Sequence, residues 1–189
     1  YGMLTDDKFL EKANKFHIFE EASFTPPSGE PEGASGKFYT LDEYRLATEA
    51  LQKNKDGKLV ILYTTDIVQQ DAYIKAAQRK GYTIVQLNTL IDASFLNQME
   101  SKWNDVHFTR VDSDIADNLI DKQENIESVL SKEEESRLKE LFDIKTSSLQ
   151  VGVEVKGLSG EAPPVVATRP ECMRRMKDMA AMSGPMGSF

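Results

Sequence analysis

The stretch KLVILYTTDIVQQDAYIKAAQRKGYTIVQLNTLIDASFLNQMESKWNDVHFTRVD, residues 58–112, decides the fold of this chain. It begins with a continuous apolar run at 59–63, which is typical of a strand buried on both faces in a parallel sheet covered by helices. Apolar runs at 82–87 and 106–111 predict two further strands. Because the connections between the strands are long enough to hold helices, parallel pairing is favoured. The stretch therefore predicts a three-layer α/β unit with a short parallel sheet.

Two helices are expected between these strands. Asp66 can cap the first helix, and Gly81 is typical of a helix end. The second helix covers residues 92–103 and carries its apolar residues largely on one side. The apolar residues of the two helices are Ile67, Ala72, Ile74, Ala77, Phe95, Leu96, Met99 and Trp103.

The composition restricts the class of protein. The formal net charge is -8 and the pI is near 4.9, which argues against a dedicated nucleic-acid or anionic-membrane binder. Cys172 is the single cysteine, so no internal disulfide can form, and this fits a reducing compartment. No apolar stretch approaches the roughly 18–20 residues that span a bilayer, and the N-terminus does not resemble a signal peptide. We expect the chain to be part of a longer protein.

The residues before this stretch predict two helices and a loop. Thr5, followed by two acids, matches a helix start. His17, near the end of this helix, is expected to be a surface or packed histidine rather than a metal ligand. Residues 25–36, rich in proline and glycine, predict a mobile loop. Thr40 and Glu43 match a capping box at the start of the second helix. The first helix carries an apolar stripe of Phe9, Leu10, Ala13 and Phe16.

The residues after the stretch differ from it in composition and in their apolar pattern. Residues 121–145 contain eight acids and five bases, which is typical of a solvated helix or a linker. Ser131 and Glu134 match a second capping box. The alternation of apolar and polar residues then predicts strands rather than a continuation of the strand–helix–strand pattern.

Two apolar segments near the C-terminus predict an antiparallel hairpin. Residues 149–155 alternate between apolar and polar side chains, and 164–168 form a second short apolar run. We therefore expect residues 1–120 to form one domain. Residues 121–189 are expected to form a smaller α+β unit with this hairpin and a final amphipathic helix.

The sequence contains no short catalytic motif, and we predict no catalytic, cofactor-binding or metal-binding residue. Asp66 follows a predicted strand, where doubly wound folds place functional groups, but capping of the next helix explains it equally well. His107 and Arg110 are expected at the solvated margin of the third strand.

The final helix, 171–182, is the unusual element. Met173, Met176, Met179 and Met182 recur every three residues. Since a step of three residues falls about 60° short of a full helical turn, the series winds around the helix, and one buried seam cannot hide all four side chains. Packing on the hairpin explains part of the series. The exposed remainder suggests a surface for varied apolar partners.

Several stretches of the chain resemble the bacterial HtpG branch of the ninety-kilodalton heat-shock chaperones. The resemblance covers nearly the whole chain in the family's order, and it is a sequence-long pattern rather than one short motif. The stretches that carry it are residues 39–44 (YTLDEY), 59–66 (LVILYTTD), 76–85 (AAQRKGYTIV), 90–92 (LID), 164–166 (PVV) and 169–177 (RPECMRRMK).

The resemblance implies that residues 1–120 end the chaperone's middle domain and that 121–189 begin its C-terminal dimerisation domain. It implies a cytoplasmic, ATP-dependent chaperone that binds unfolded or partly folded client proteins. ATP and Mg²⁺ are expected in an N-terminal domain, and the homodimer contact in C-terminal helices; neither has a counterpart in this sequence. The chain itself is therefore expected to be non-catalytic and to hold no cofactor. The family's client-contact region corresponds to the helix of Met173, Met176, Met179 and Met182, whereas the loop 25–36 has no assignable role.

An alternative interpretation is a free-standing flavodoxin-like ligand-binding or receiver domain with Asp66 near the ligand. Receiver chemistry needs several acids around Mg²⁺ and a further acceptor aspartate at the end of another strand. Here the second strand runs into Leu87 and Asn88, which weakens this alternative.

Overall fold

A computed structural model of the chain describes residues 2–22, 37–89, 92–114, 116–120, 128–149, 151–157 and 165–183. The predicted loop 25–36 lies outside the described residues. The helices are α1 (Gly2–Thr5), α2 (Asp7–Ala13), α3 (Leu41–Gln52), α4 (Asp71–Arg79), α5 (Asp92–Lys102), α6 (Lys132–Thr146) and α7 (Glu171–Ser183). The strands are β1 (Phe19–Glu21), β2 (Phe38–Tyr39), β3 (Leu59–Thr64), β4 (Ile84–Gln86) and β5 (Val106–Arg110).

The part of the chain that the structure describes divides into two compact units. The first unit contains residues 1–121 and 167–189, and the second contains 122–166. The final helix, α7, thus groups with the first unit rather than with the predicted hairpin. The assignment of residues 1–120 and 121–189 to two domains of the chaperone stays a prediction.

The five strands form one mixed sheet in the order β2-β1-β4-β3-β5. β3 pairs in parallel with both β4 and β5, as the sequence predicts. β1 pairs antiparallel with β4 and β2, and the sequence pattern does not predict this edge. Strands of two or three residues are too short to show a period of two. The α/β class is confirmed, with an antiparallel extension of the sheet.

β3 is the centre of the core because both of its faces are covered. All six of its residues are buried, and successive side chains point to opposite faces. The side chains on one face of β3 join an apolar cluster with α3 and α5. The members from these three elements include Leu59, Ile61, Tyr63, Tyr44, Phe95, Leu96 and Met99. Val60 and Leu62 join a second cluster with Ile74 and Ala77 of α4. The continuous apolar run in the sequence therefore reflects burial on two faces, as expected.

The polar residue Gln52 ties the end of α3 to the sheet. Its side chain is fully buried, and its amide nitrogen donates to the backbone oxygen of Val60 at 3.0 Å and to the Tyr44 hydroxyl at 2.8 Å. Its amide oxygen accepts from the backbone N–H of Thr83 at 2.7 Å. Since buried polar groups must be paired, this one side chain fixes the position of α3 relative to β3 and the entry to β4.

The capping predictions were partly right. The capping box of Thr40 and Glu43 is present at the start of α3. Asp66 caps the turn after β3, where its carboxylate accepts from two backbone N–H groups, but α4 itself begins only at Asp71. Near the N-terminus the cap is Asp6 instead of Thr5, because the Asp6 carboxylate reaches two N–H groups of α2.

The apolar stripe predicted along the first helix is largely wrong. Leu10 is buried, but Phe9 and Phe16 are exposed. For Phe16 the reason is that α2 ends at Ala13 and a short 3₁₀ turn, Asn14–Phe16, follows. A 3₁₀ turn advances three residues per turn, so the 3.6-residue spacing assumed for the stripe does not hold there.

The second unit contains α6 and an irregular segment. The predicted capping box of Ser131 and Glu134 is present, and no residue of α6 is buried. The predicted hairpin is wrong for the described part of 149–155 and 164–168: Ser147–Leu149 is a 3₁₀ turn, and residues 151–157 and 165–168 are not assigned to strands. Alternation alone does not make a strand, which needs a neighbour to satisfy its backbone groups.

Candidate functional site

α7 begins with a carboxylate that gathers polar groups from the sheet. Glu171 accepts a hydrogen bond from the Tyr63 hydroxyl of β3 at 2.6 Å and from the backbone N–H of Arg110 of β5 at 3.2 Å. It also accepts from the guanidinium groups of Arg174 and Arg175, one turn further along α7. Glu171 is thus the point at which α7 joins the ends of two neighbouring parallel strands.

Arg175 carries the second connection, from α7 to α5. Its guanidinium donates to both carboxylate oxygens of Glu100, at 2.7 and 3.1 Å, and to the Asn97 side chain at 3.0 Å. It also donates to the backbone oxygen of Phe108 at 2.9 Å. Only 7% of Arg175 is exposed. The planar guanidinium of arginine suits a buried ion pair of this kind, because it can donate several hydrogen bonds at once.

Arg174 lies beside it and is 3% exposed. Its guanidinium donates to the Tyr63 hydroxyl and to Asp178, and its central carbon lies 5.3 Å from the centre of the Tyr63 ring. We call the group of Tyr63, Glu100, Glu171, Arg174 and Arg175 the polar anchor of α7. It joins α7 to β3 and α5 through hydrogen bonds between polar and charged groups.

The polar anchor stabilises the ionised forms of its two carboxylates, whereas Tyr63 stays neutral. Burial by itself would raise the pKa of Glu100, but hydrogen bonds from His107, Arg175 and the Phe108 backbone lower it to about 2. Burial opposes ionisation of Glu171 too, and its hydrogen bond from Arg174 nevertheless lowers its pKa. Burial is the main cause that raises the pKa of Tyr63, so its hydroxyl stays protonated and remains a donor.

The opposite side of α7 presents methionines. Met173 is 65% exposed and Met176 is 66% exposed, while Met179 is 37% exposed and its sulfur lies 3.4 Å from the Asn97 amide nitrogen. We call Met173 and Met176 the methionine face, because Met179 lies on the side of Arg175, where both residues contact Asn97 of α5. The side chain of Met182 lies outside the described residues. α7 therefore buries two arginines and exposes two methionines beside Lys177, the reverse of an ordinary surface helix.

The other sequence candidates lie in different surroundings. Asp66 caps the turn after β3 and not the next helix, α4, which the capping interpretation predicts. His17 is packed between the Phe19 and Phe95 rings, with both centroids at 4.7 Å, and burial lowers its pKa. His107 is exposed and pairs with Glu100. Arg110 is not at a solvated margin: its side chain is mostly buried and forms a bidentate pair with Asp112.

The polar anchor was not predicted from the sequence. Arg174, Arg175 and Lys177 match a solvated basic face of the helix, and only Lys177 is exposed. A signal was nevertheless present, because Glu171, Arg174 and Arg175 stand at spacings of three and four residues and so share one side of the helix. Among the described residues, no group of three or more His, Cys, Asp or Glu side chains is placed to hold a metal ion. Each of the described helices is too short or too polar to span a bilayer.

The chain is similar over its whole length to a segment of bacterial molecular chaperones. Chaperone protein HtpG of Porphyromonas gingivalis is 39% identical over 194 residues, and those of Bacteroides fragilis and Bacteroides thetaiotaomicron are 34% identical over 192 residues. Each alignment covers 100% of this chain and 26% of the relative, so the chain spans about a quarter of the length of these relatives. No protein-family model matches the chain. The predicted resemblance to HtpG is confirmed.

Proposed function

We propose that this chain is a segment of an ATP-dependent, HtpG-like chaperone and that it supplies a contact surface for unfolded or partly folded client proteins. The similarity to HtpG along the whole chain supports the chaperone assignment. The methionine face supports the assignment of a contact surface. In this proposal the intact protein is cytoplasmic and homodimeric.

The orientation of α7 is the observation on which the proposal rests. Exposed methionines gain nothing from contact with water, and the helix does not need them for docking because the polar anchor holds its other side. Methionine is flexible and polarisable, so a row of such side chains adapts to partners of different shape. Full burial of one of them contributes at most about 1.5–3 kcal/mol. Contacts of this strength suit transient binding of many clients.

The segment itself is non-catalytic in this proposal. ATP and Mg²⁺ bind elsewhere in the full-length protein, in an N-terminal domain outside this chain. Calorimetric titration of the 189-residue chain with Mg-ATP should then give no binding heat. A saturable signal with a micromolar dissociation constant would contradict the division of labour between this segment and the rest of the protein.

Serine substitution tests the contact surface directly. Changing Met173→Ser and Met176→Ser together in the full-length protein should raise the dissociation constant for an unfolded client about tenfold, equivalent to about 1.4 kcal/mol. The thermal midpoint should stay nearly unchanged, since both side chains are mostly exposed. Val68→Ser is the control, because Val68 is an exposed apolar residue that does not belong to α7. Unchanged client binding in the double variant would refute the proposal, as would a midpoint lowered by several degrees.

A further inference from the structure

We propose that the methionine face is also a site of reversible oxidation, at which peroxides convert Met173 and Met176 to methionine sulfoxide and so weaken client binding. This inference rests on the proposed function for its effect on clients. The modification itself depends only on the accessibility of the two side chains.

Accessibility differs among the four methionines whose side chains the structure describes. Met173 and Met176 are each about two-thirds exposed, whereas Met99 is fully buried in the cluster between α5 and the sheet. Oxidation of sulfur by a peroxide requires contact between the two, so it follows exposure. Met179 is intermediate, since it is less exposed and its sulfur lies against the Asn97 amide. Met173 and Met176 are therefore expected to react first.

The reaction needs only a peroxide as a second reactant. The thioether sulfur of methionine attacks one peroxide oxygen, a sulfur–oxygen bond forms, and the oxygen–oxygen bond breaks. The sulfur is oxidised by two electrons, and hydrogen peroxide is reduced to water. The product is a polar sulfoxide that methionine sulfoxide reductases return to the thioether. The change is thus chemically reversible.

The polar anchor makes this modification local. Its hydrogen bonds use Glu171, Arg174 and Arg175, which lie on the other side of α7 from the methionine face. A new oxygen on Met173 or Met176 therefore meets solvent rather than a packed neighbour. The helix should keep its position while its outer surface changes from apolar to polar. In an ordinary amphipathic helix, where methionines make the core contact, the same oxidation would release the helix.

The test uses three forms of the full-length protein. All carry Cys172→Ser, because Cys172 is exposed next to Met173 and its thiol also reacts with peroxide. The first form has no other change. The second carries Met173→Leu and Met176→Leu, which keep the apolar surface and nearly the same volume but cannot be oxidised. The third carries the double serine change, which removes the apolar surface without oxidation.

Brief hydrogen peroxide treatment should oxidise Met173 and Met176 faster than Met99, as peptide mass spectrometry would show. Client affinity should fall about tenfold in the first form and much less in the leucine form, with the thermal midpoint nearly unchanged in both. Treatment with methionine sulfoxide reductase should restore binding. Equal oxidation of Met99 and Met173, or an equal loss of affinity in the first and leucine forms, would overturn the inference. Full client binding by the untreated serine form would instead refute the proposed function.

Discussion

Arg175 in α7 donates hydrogen bonds to both carboxylate oxygens of Glu100 in α5, at 2.7 and 3.1 Å. The two residues lie 75 positions apart in the chain, so this pair is a tertiary contact that fixes one helix on another. Two parallel bonds of this kind define direction as well as distance. The pair therefore determines which side of α7 faces the sheet, and consequently that the methionine face points away from it.

We first predict that Glu100→Ala destabilises the first unit substantially. The substitution leaves the Arg175 guanidinium buried without its main counter-charge, which typically costs about 3–5 kcal/mol. Asp105→Ala is the control, because Asp105 forms an ion pair with Arg45 that is largely exposed and worth at most about 1 kcal/mol. Urea unfolding of each variant measures the two losses. Losses of equal size would mean that the Glu100 pair is no stronger than a surface ion pair.

The second prediction concerns the loss of folding stability at low pH. The pKa of Glu100 is lowered from 4.5 to about 2 in the folded protein. A carboxylate with a lowered folded-state pKa contributes stability that is fully present above its unfolded pKa and is lost as the pH falls through the folded value. The contribution of Glu100 should therefore decline between pH 4.5 and about pH 2.

The comparison of wild type with Glu100→Gln isolates this effect. The difference in unfolding free energy between the two proteins should be constant above about pH 6 and should narrow as the pH falls below 4.5. Urea titrations over this range provide the measurement. A difference that stays constant down to about pH 2 would show that the charge of Glu100 does not stabilise the fold.

The centre of the first unit is predictable from the sequence because its signals are local. The five apolar residues from Leu59 to Tyr63 exceed what a half-exposed strand allows. The capping boxes at Thr40 and Ser131 depend on residues only three positions away, and both are present. In contrast, β1 and β2 exist because β4 offers a free edge. The two or three residues of each of these strands do not show in the sequence that they pair at the edge of β4.

The anchoring of α7 is the part that its own sequence does not predict. The helix itself is expected from its composition, but Arg174 and Arg175 match an exposed face because arginine is almost never fully buried unless it is paired. Their partners, Tyr63 and Glu100, lie 111 and 75 positions away. The spacing of Glu171, Arg174 and Arg175 places them on one side of α7, but it does not identify partners this far away in the chain. Only the arrangement of β3 and α5 reveals them.

A third prediction is that Tyr63→Phe loosens α7 without disturbing the sheet. The change removes the hydroxyl that donates to Glu171 and accepts from Arg174, at a cost of about 1–3 kcal/mol. Amide hydrogen exchange should become faster in α7 and stay nearly unchanged in β3. Tyr39→Phe is the control, since the Tyr39 hydroxyl bonds to Glu21 at the other edge of the sheet. Faster exchange in α7 after the control substitution would argue against a specific role for Tyr63.

The last prediction concerns Gln52, the buried amide that joins α3 to the sheet. Gln52→Leu keeps the approximate size of the side chain but removes its hydrogen bonds to the Val60 oxygen and the Thr83 N–H. The Thr83 N–H loses its acceptor, and an unsatisfied buried group costs about 1–3 kcal/mol. Gln78→Leu makes the same chemical change on the exposed side of α4 and should stay within about 0.5 kcal/mol of wild type. Urea unfolding of both variants decides the matter: equal stabilities would mean that water or a backbone shift replaces the lost bonds and that Gln52 does not hold α3 in place.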